Sequence, residues 1–204
     1  NEYNIILNNP IKVFMLTPNF KSLEMACINE INNFSFITSI SDSFMRKHTN
    51  KTLVETKGEI RKMMENIIIT PEKNIKLHIS CINKCPIQGY INHINIANEI
   101  SYYYYMYEMI DEICLIDTCG TLKLNDLNYI LYELENKNIN LNKISLRLYN
   151  NNKNSNHIDN IISYAMIRGI SKFDVSILSK NGIFDKLIYN SNDHLSYEQL
   201  YKFI

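Results

Sequence analysis

The sequence predicts an α/β fold of the TIM-type (β/α)8 barrel, formed by residues 1–204 as a single domain. Two observations lead to this prediction. Six short apolar runs, rich in Ile, Val and Phe, alternate with stretches of helical length, and this alternation gives right-handed crossovers and a parallel sheet. In addition, no G-x-G-x-x-G or G-x-x-x-x-G-K-[ST] motif follows any run, which favours a barrel over an open, doubly wound nucleotide-binding sheet.

The predicted strands and helices follow one another along the chain. Strands are expected at residues 11–16, 34–40, 75–82, 112–117, 144–149 and 170–177, because these runs are apolar, short and rich in β-branched residues. Helices are expected at residues 22–31, 52–66, 92–109, 124–138 and 157–168, with Gly169 at the C-terminal end of the last one. These strands are fewer than the roughly eight that a closed barrel needs.

The composition argues against nucleic acid and membranes as partners. Lys plus Arg and Asp plus Glu both number 21, so there is no electrostatic reason to expect binding to nucleic acid or to an anionic membrane. No apolar stretch approaches the roughly 20 residues needed to cross a bilayer, and a soluble protein is expected. The five cysteines lie in or beside strand-like runs, which favours reduced thiols in an intracellular compartment.

Two conspicuous patterns are better explained by packing than by ligand binding. The tyrosine run at residues 102–105, with Tyr107, lies in a predicted helix and is expected to pack between that helix and the barrel rather than stack on a ligand. Cys81 and Cys85 have a C-x-x-x-C spacing that occurs in some metal sites. No second cysteine pair or H-x-x-x-H follows, so the two are expected to pack at a strand exit.

Four motifs lie at the ends of the predicted strands: L-T-P-N-F-K at residues 16–21, S-D-S-F at 41–44, S-C-I-N-K-C-P-I-Q-G at 80–89 and L-I-D-T-C-G at 115–120. In this order they resemble motifs of the 3-hydroxy-3-methylglutaryl-CoA (HMG-CoA) lyases, which are metal-dependent aldolase and lyase barrels. The resemblance covers roughly residues 11–204. It implies that the chain holds strands three to eight of a barrel whose first two βα units would precede Asn1.

The resemblance implies a reaction and a set of site positions. Members of the family cleave HMG-CoA to acetyl-CoA and acetoacetate with a divalent metal, Mg²⁺ or Mn²⁺. Asp117 occupies the family's carboxylate position and is the candidate catalytic residue, with a structural role as a loop cap as the alternative. Arg147 and Tyr149 stand at the family's two histidine positions on strand seven. Ile183 stands at the position of the cysteine that acts as the acid in the family, and His194 lies near the position of the asparagine that binds the metal.

These replacements predict a weakened or absent metal site. A guanidinium stays protonated and has no lone pair for a metal, so no metal cofactor is expected, and Arg147, Tyr149 and His194 become candidate substrate-binding residues. The favoured hypothesis is an HMG-CoA lyase-like protein whose metal-dependent catalysis is lost or strongly impaired. The alternative is an active lyase or aldolase that acts on an acyl-CoA or a small oxo acid through Arg147 and Asp117. Whether the protein is an enzyme stays open.

The resemblance also bears on location and assembly. It implies a mitochondrial or cytosolic protein, although the sequence carries no visible targeting signal. A barrel without its first two strands would expose the edges of two others. Because exposed strand edges pair readily with other chains, a homodimer formed through this opening is expected.

Overall fold

A computed structural model describes residues 12–68, 73–150, 156–175 and 193–203. Each of the six predicted strands has a counterpart there, with bounds shifted by a few residues. The segment at 179–184, with Ile183, lies outside the described residues. The strands, in chain order, are β1 (Met15–Leu16), β2 (Asn33–Ser39), β3 (Asn74–Ser80), β4 (Lys84–Cys85), β5 (Gly89–Tyr90), β6 (Glu112–Ile116), β7 (Ile144–Arg147), β8 (Tyr149–Asn150), β9 (Lys172–Asp174) and β10 (Asp193–His194).

The five predicted helices are also present. Gly169, with φ of 92°, follows the last of them as predicted. Among the described residues, no helix combines the length and the apolar character needed to span a lipid bilayer. The helices are α1 (Phe20–Ile28), α2 (Asp42–Thr49), α3 (Leu53–Ile68), α4 (His93–Met106), α5 (Leu124–Asn136), α6 (Asn156–Ile167) and α7 (Tyr197–Leu200).

Helix α2 was not predicted, because the S-D-S-F segment was identified only as a motif at the end of a strand. Ser41 is its N-cap, and the Ser41 hydroxyl oxygen accepts a hydrogen bond from the backbone N–H of Phe44 at 3.1 Å. Asp42 lies in the first turn, where a negative charge is favourable. Asn50 ends the helix in the left-handed conformation, with φ of 56°. These polar residues are therefore the capping residues of a short helix.

The main sheet is parallel, and its strands follow chain order: β1-β2-β3-β6-β7-β9. A doubly wound sheet reverses its direction at a switch point, whereas a barrel adds each new strand beside the previous one. The observed order is therefore that of a barrel. In the part of the chain that the structure describes, β1 and β9 each pair with one neighbour in this sheet, so the barrel is not closed.

Contacts between side chains of distant strands show that the sheet is strongly curled. β3 and β9 are separated by β6 and β7, which would place them about 14 Å apart in a flat sheet. Nevertheless His78 Nε2 on β3 lies 3.5 Å from Asp174 Oδ2 on β9, and Lys76 also pairs with Asp174. The concave face of the sheet therefore encloses a lumen, as in a barrel.

The outer face of the sheet is apolar and packs against the helices. Alternate residues of β2, β3, β6 and β7 point to this face, and these residues are buried. Its members, with their main helical partners, are Phe34, Phe36, Ile75, Leu77, Ile79, Ile113, Leu115, Ile144 and Leu146 from the strands and Leu23, Ile60, Met63, Ile96, Ile100, Leu127, Leu131 and Ile162 from the helices.

The tyrosine run of α4 joins this core. Tyr103 is fully buried, and its hydroxyl lies 3.0 Å from the hydroxyl of Thr38 on β2. Tyr102, Tyr104 and Tyr107 are partly buried against the same cluster. The predicted packing role is confirmed for these four residues, whereas Tyr105 is 55% exposed.

Candidate functional site

Asp117 lies directly after β6 and is 3% exposed. Its carboxylate accepts hydrogen bonds from two backbone N–H groups of the following loop, those of Thr121 at 3.1 Å and Leu122 at 2.9 Å. Gly120, with φ of 62°, turns the loop back so that its N–H reaches the carbonyl of Asp117 at 3.0 Å. Both carboxylate oxygens thus stabilise the loop, and a catalytic role for Asp117 stays a prediction.

Burial raises the pKa of Asp117 to about 6, although the N–H groups of Leu122 and Thr121 oppose this shift. In the unfolded chain the carboxyl has its ordinary value near 4. The folded state therefore holds the proton more tightly than the unfolded state. The stability that this proton contributes is fully present below about pH 4 and is lost as the pH rises through about 6.

We expect Asp117→Asn to remove this pH dependence. Between pH 4 and pH 7, the free energy of unfolding of the wild type should fall by about 3 kcal/mol relative to that of the variant. Urea unfolding at several pH values measures the difference, and parallel profiles for the two proteins would contradict the prediction. Asp42→Asn is the control, because Asp42 should show the opposite pH dependence of stability. The N–H of Leu53 and the guanidinium of Arg46 lower the pKa of the exposed Asp42, so the stability that this carboxylate contributes is lost as the pH falls.

Arg147, Tyr149 and the backbone of His194 lie together at the end of β7. The Arg147 guanidinium carbon is 5.7 Å from the centre of the Tyr149 ring, and the strand register places Arg147 beside Asp174. Tyr149 is 3% exposed and packs on Cys114 and Ile116 in the lumen.

β10 pairs with β8 so that His194 stands opposite Tyr149. Asp117 is adjacent through its backbone, whose N–H donates to the carbonyl of Arg147 at 3.0 Å.

The structure therefore brings the four predicted site residues to one end of the sheet. Parallel strands deliver their carboxyl ends to the same edge, which is where barrels bind ligands. The side chain of Asp117 is nevertheless engaged by its own loop. Substrate binding by Arg147, Tyr149 and His194 stays a prediction.

The two cysteines of the 80–89 segment differ in their surroundings, although both are buried. Cys85 Sγ accepts hydrogen bonds from the Ser41 hydroxyl at 3.0 Å and from the N–H of Ile87 at 3.3 Å. The thiol of Cys81 is a further donor, and together these groups lower the pKa of Cys85 to about 4. Burial instead raises the pKa of Cys81. The pKa values of the two neighbouring cysteines are thus shifted in opposite directions, and Cys85 is hydrogen-bonded to the N-cap of α2.

Hydrogen bonds tie the 80–89 motif to the 115–120 motif. Cys81 adopts the left-handed conformation, with φ of 66°, and its N–H donates to the hydroxyl of Thr118 at 2.8 Å. The Cys119 thiol donates to the carbonyl of Lys84 at 3.3 Å. Asn19 of the first motif caps α1 by accepting the N–H of Ser22 at 2.9 Å. The residues that make the motifs recognisable therefore also build the strand exits.

A polar cluster inside the lumen was missed by the sequence analysis. We call Lys76, His78, Glu112, Cys114 and Asp174 the lumen cluster. In it the Lys76 ammonium lies 2.7 Å from the Glu112 carboxylate and also pairs with Asp174. The cluster could have been found from the alternation of polar and apolar residues along the strands. Its polar residues stand at every second position within apolar strand runs.

Glu112 and Asp174 are embedded in further polar contacts. The Ser145 hydroxyl donates to the Glu112 carboxylate at 2.6 Å, and the Lys172 ammonium lies 3.6 Å from it. Burial alone would raise the pKa of Asp174, but the positive charges of Lys76 and Arg147 and the nearby His78 hold it below the ordinary value. The neighbouring cations therefore favour the ionised form of the Asp174 carboxylate in the lumen.

A cavity of about 480 Å³ opens beside the Asp117 loop. Its walls include Tyr90, Thr121, Lys123 and His157. His157 Nε2 lies 2.8 Å from the carbonyl of Leu122, within the same loop. The cavity thus combines a cationic side chain with an aromatic wall beside the loop that follows Asp117.

No protein-family model and no curated protein matches this chain. Among solved structures, the hydroxymethylglutaryl-CoA lyase from Pseudomonas aeruginosa superposes with a TM-score of 0.80 at 18% identity, over 96% of this chain and 63% of that chain. This chain has the fold of the HMG-CoA lyases. The HMG-CoA lyase from Bacillus subtilis gives a TM-score of 0.79 at 20% identity, over 96% of this chain and 63% of that chain.

A third structure was determined with ligands. The HMG-CoA lyase from Acinetobacter baumannii, solved in complex with coenzyme A and 3-methylmalate, has a TM-score of 0.80 at 17% identity, over 95% of this chain and 60% of that chain. This chain therefore spans between 60% and 63% of the length of these three lyases. The barrel fold predicted from the strand-end motifs is confirmed.

Proposed function

We propose that this chain is part of a divergent HMG-CoA lyase-like protein in which metal-dependent cleavage of HMG-CoA is lost or strongly impaired. The observation that carries the proposal is the end of β7. Where the resemblance places two histidine ligands, the chain has Arg147 and Tyr149. The lyase fold and the four strand-end motifs support the ancestry, while these two residues argue against the ancestral reaction.

The residues at this position do not fit Mg²⁺ or Mn²⁺. These cations prefer oxygen or imidazole ligands with a free lone pair. The Arg147 guanidinium has none and adds a repelling charge. The Tyr149 ring is packed against Cys114 and Ile116, and both oxygens of Asp117 already accept N–H groups. The end of β7 is therefore unsuited to binding either ion.

The alternative is an active enzyme that uses Arg147 in place of the metal. A guanidinium binds carboxylates through two parallel hydrogen bonds, so Arg147 could hold an oxo acid or the acyl part of an acyl-CoA, with Asp117 as the nearby carboxyl. The cavity with Lys123 in its wall supports this alternative. The lyase from A. baumannii, which has the same fold, was solved with bound coenzyme A, and this also supports the alternative.

Two measurements on the purified chain distinguish the hypotheses. Incubation with HMG-CoA and Mg²⁺ or Mn²⁺ is expected to give no acetoacetate. Acetoacetate formation with a stoichiometric bound Mg²⁺ or Mn²⁺ ion would overturn the proposal. Calorimetric titration with acetyl-CoA and with 3-methylmalate then tests the alternative, for which Arg147→Ala should weaken binding at least about tenfold.

The control for the titration is Arg46→Ala. Arg46 is an exposed arginine that pairs with Asp42 on α2, so its removal should leave binding unchanged. If the wild type and Arg147→Ala bind equally, Arg147 has no part in ligand binding and the alternative fails.

We also propose that two copies associate through the open side of the sheet. In the described part of the chain, the outer edges of β1 and β9 carry no further strand of the main sheet. Such edges favour pairing with another chain. Light scattering coupled to gel filtration is expected to give the mass of a dimer, and a monomer mass at high protein concentration would refute the association.

A further inference from the structure

We propose that the lumen contains a binding site for a Zn²⁺-type ion formed by His78, Cys114 and Asp174. The site lies inside the barrel, below the end of β7, and uses none of the residues that the resemblance assigns to a metal. It does not depend on the proposed function, since it rests on the contacts of three other side chains.

The three side chains converge although they come from three strands. His78 on β3 and Cys114 on β6 are direct neighbours in the strand register. The curl of the sheet brings Asp174 from β9 to within 3.5 Å of the imidazole. One ligand atom of each residue, namely an imidazole nitrogen, a thiol sulfur and a carboxylate oxygen, lies within 4.8 Å of the other two. A small inward movement brings all three to one ion.

His78 is the independent observation that points to a ligand. The residue is 8% exposed, and neither ring nitrogen has a hydrogen-bond partner. Buried polar atoms without partners are rare because they are costly. Burial also lowers the pKa of His78 to about 4, so at neutral pH the imidazole is uncharged and offers the lone pair that a metal needs.

The chemistry of the three donors selects the class of ion. A nitrogen, a sulfur and an oxygen suit Zn²⁺ and the neighbouring transition metals, whereas Mg²⁺ and Ca²⁺ take oxygen ligands. Three protein ligands leave the fourth tetrahedral position to water. On binding, the metal–sulfur bond replaces the S–H bond of Cys114, and the thiol proton leaves to solvent.

The surrounding charges orient the carboxylate and moderate the affinity. Lys76 occupies Oδ1 of Asp174, which leaves Oδ2 facing His78. Such contacts in the outer shell typically hold ligands in place. The cations Lys76, Lys172 and Arg147 face the site, opposed by Glu112, Asp174 and the thiolate formed on binding. Before the thiolate forms, the three cations outnumber the two carboxylates, so the site should bind a dication less tightly than structural zinc sites do.

Cobalt provides the test, because a thiolate bound to Co²⁺ gives a charge-transfer band in the near ultraviolet. Titration of the metal-free full chain with Co²⁺ is expected to produce this band with one equivalent, and Zn²⁺ should abolish it. Cys114→Ser should remove the band, and His78→Gln, which removes one of the three protein ligands, should weaken Zn²⁺ binding at least about tenfold. Cys27→Ser is the matched control, because Cys27 is an exposed free thiol on α1. It should leave both signals unchanged.

X-ray absorption of the zinc-loaded wild type keeps the test independent of variant folding. We expect one sulfur at about 2.3 Å and the remaining ligands nitrogen or oxygen at about 2.0–2.2 Å. Two sulfurs would assign the ion to Cys81 and Cys85 instead and overturn the proposal. So would the absence of a charge-transfer band in the wild type, or a band that persists in Cys114→Ser.

Discussion

Lys76→Met is expected to lower the free energy of unfolding by about 3 to 5 kcal/mol. The Lys76 ammonium bridges Glu112 and Asp174, and the side chains of all three residues are between 16% and 20% exposed. Methionine preserves most of the volume but removes the positive charge. Two carboxylates then remain in the lumen without their main counter-ion, and breaking a buried pair in this way is far more costly than losing an exposed one. Urea unfolding at pH 7 measures the change.

Arg61→Met is the matched control for this prediction. Arg61 pairs with Glu65 on the solvent side of α3, with side chains that are 71% and 59% exposed. Exposed pairs of this kind contribute about 0.5 kcal/mol or less, so the control should unfold at nearly the wild-type urea concentration. A loss below about 1 kcal/mol for Lys76→Met would show that the ion pairs of the lumen cluster do not stabilise the fold.

The second large effect is expected at Tyr103. Tyr103→Ala should cost about 3 to 5 kcal/mol, because it leaves a cavity between α4 and the sheet. Tyr103→Phe keeps the ring but removes the hydroxyl that lies 3.0 Å from the hydroxyl of Thr38. Its expected cost is about 1 to 3 kcal/mol, since the buried Thr38 loses its partner. Thermal and urea unfolding of the two variants separate the contributions of the ring and the hydroxyl.

Tyr132 provides the comparison on the protein surface. It lies on α5 and is 56% exposed, so Tyr132→Ala should change the free energy of unfolding by about 0.5 kcal/mol or less. If Tyr103→Ala cost no more than this control, the tyrosine run of α4 would not belong to the core, and its role would have to be sought in ligand binding.

The fold was predictable because its signals are local. Apolar residues alternate with polar ones along the strands, as Ile75, Leu77 and Ile79 do with Lys76 and His78. Each of these runs therefore predicts a strand without information from the rest of the chain. Helix α2 was missed since its capping residue Ser41 resembles a turn residue when the hydrogen bond to Phe44 is not visible. Capping and turn formation use the same side chains.

The candidate site was predictable only in part, because its contacts depend on curvature. Asp117, Arg147 and Tyr149 stand at strand ends, so the topology alone places them near one another. Asp174 approaches His78 across two intervening strands. No sequence pattern around either residue predicts this contact, since the bending of a sheet is a property of the whole ladder of strands.

The sequential strand order has a consequence for how the protein is made. Each strand of the main sheet pairs with the strand of the adjacent βα unit, so most native contacts join segments that leave the ribosome one after the other. The loops that these pairings close are short relative to the whole chain, so their closure entropy is modest, whereas parallel sheets as a class form more slowly than folds built on local contacts. The growing chain can therefore add one unit at a time to a structured edge during synthesis, and no later segment has to insert between strands that have already paired.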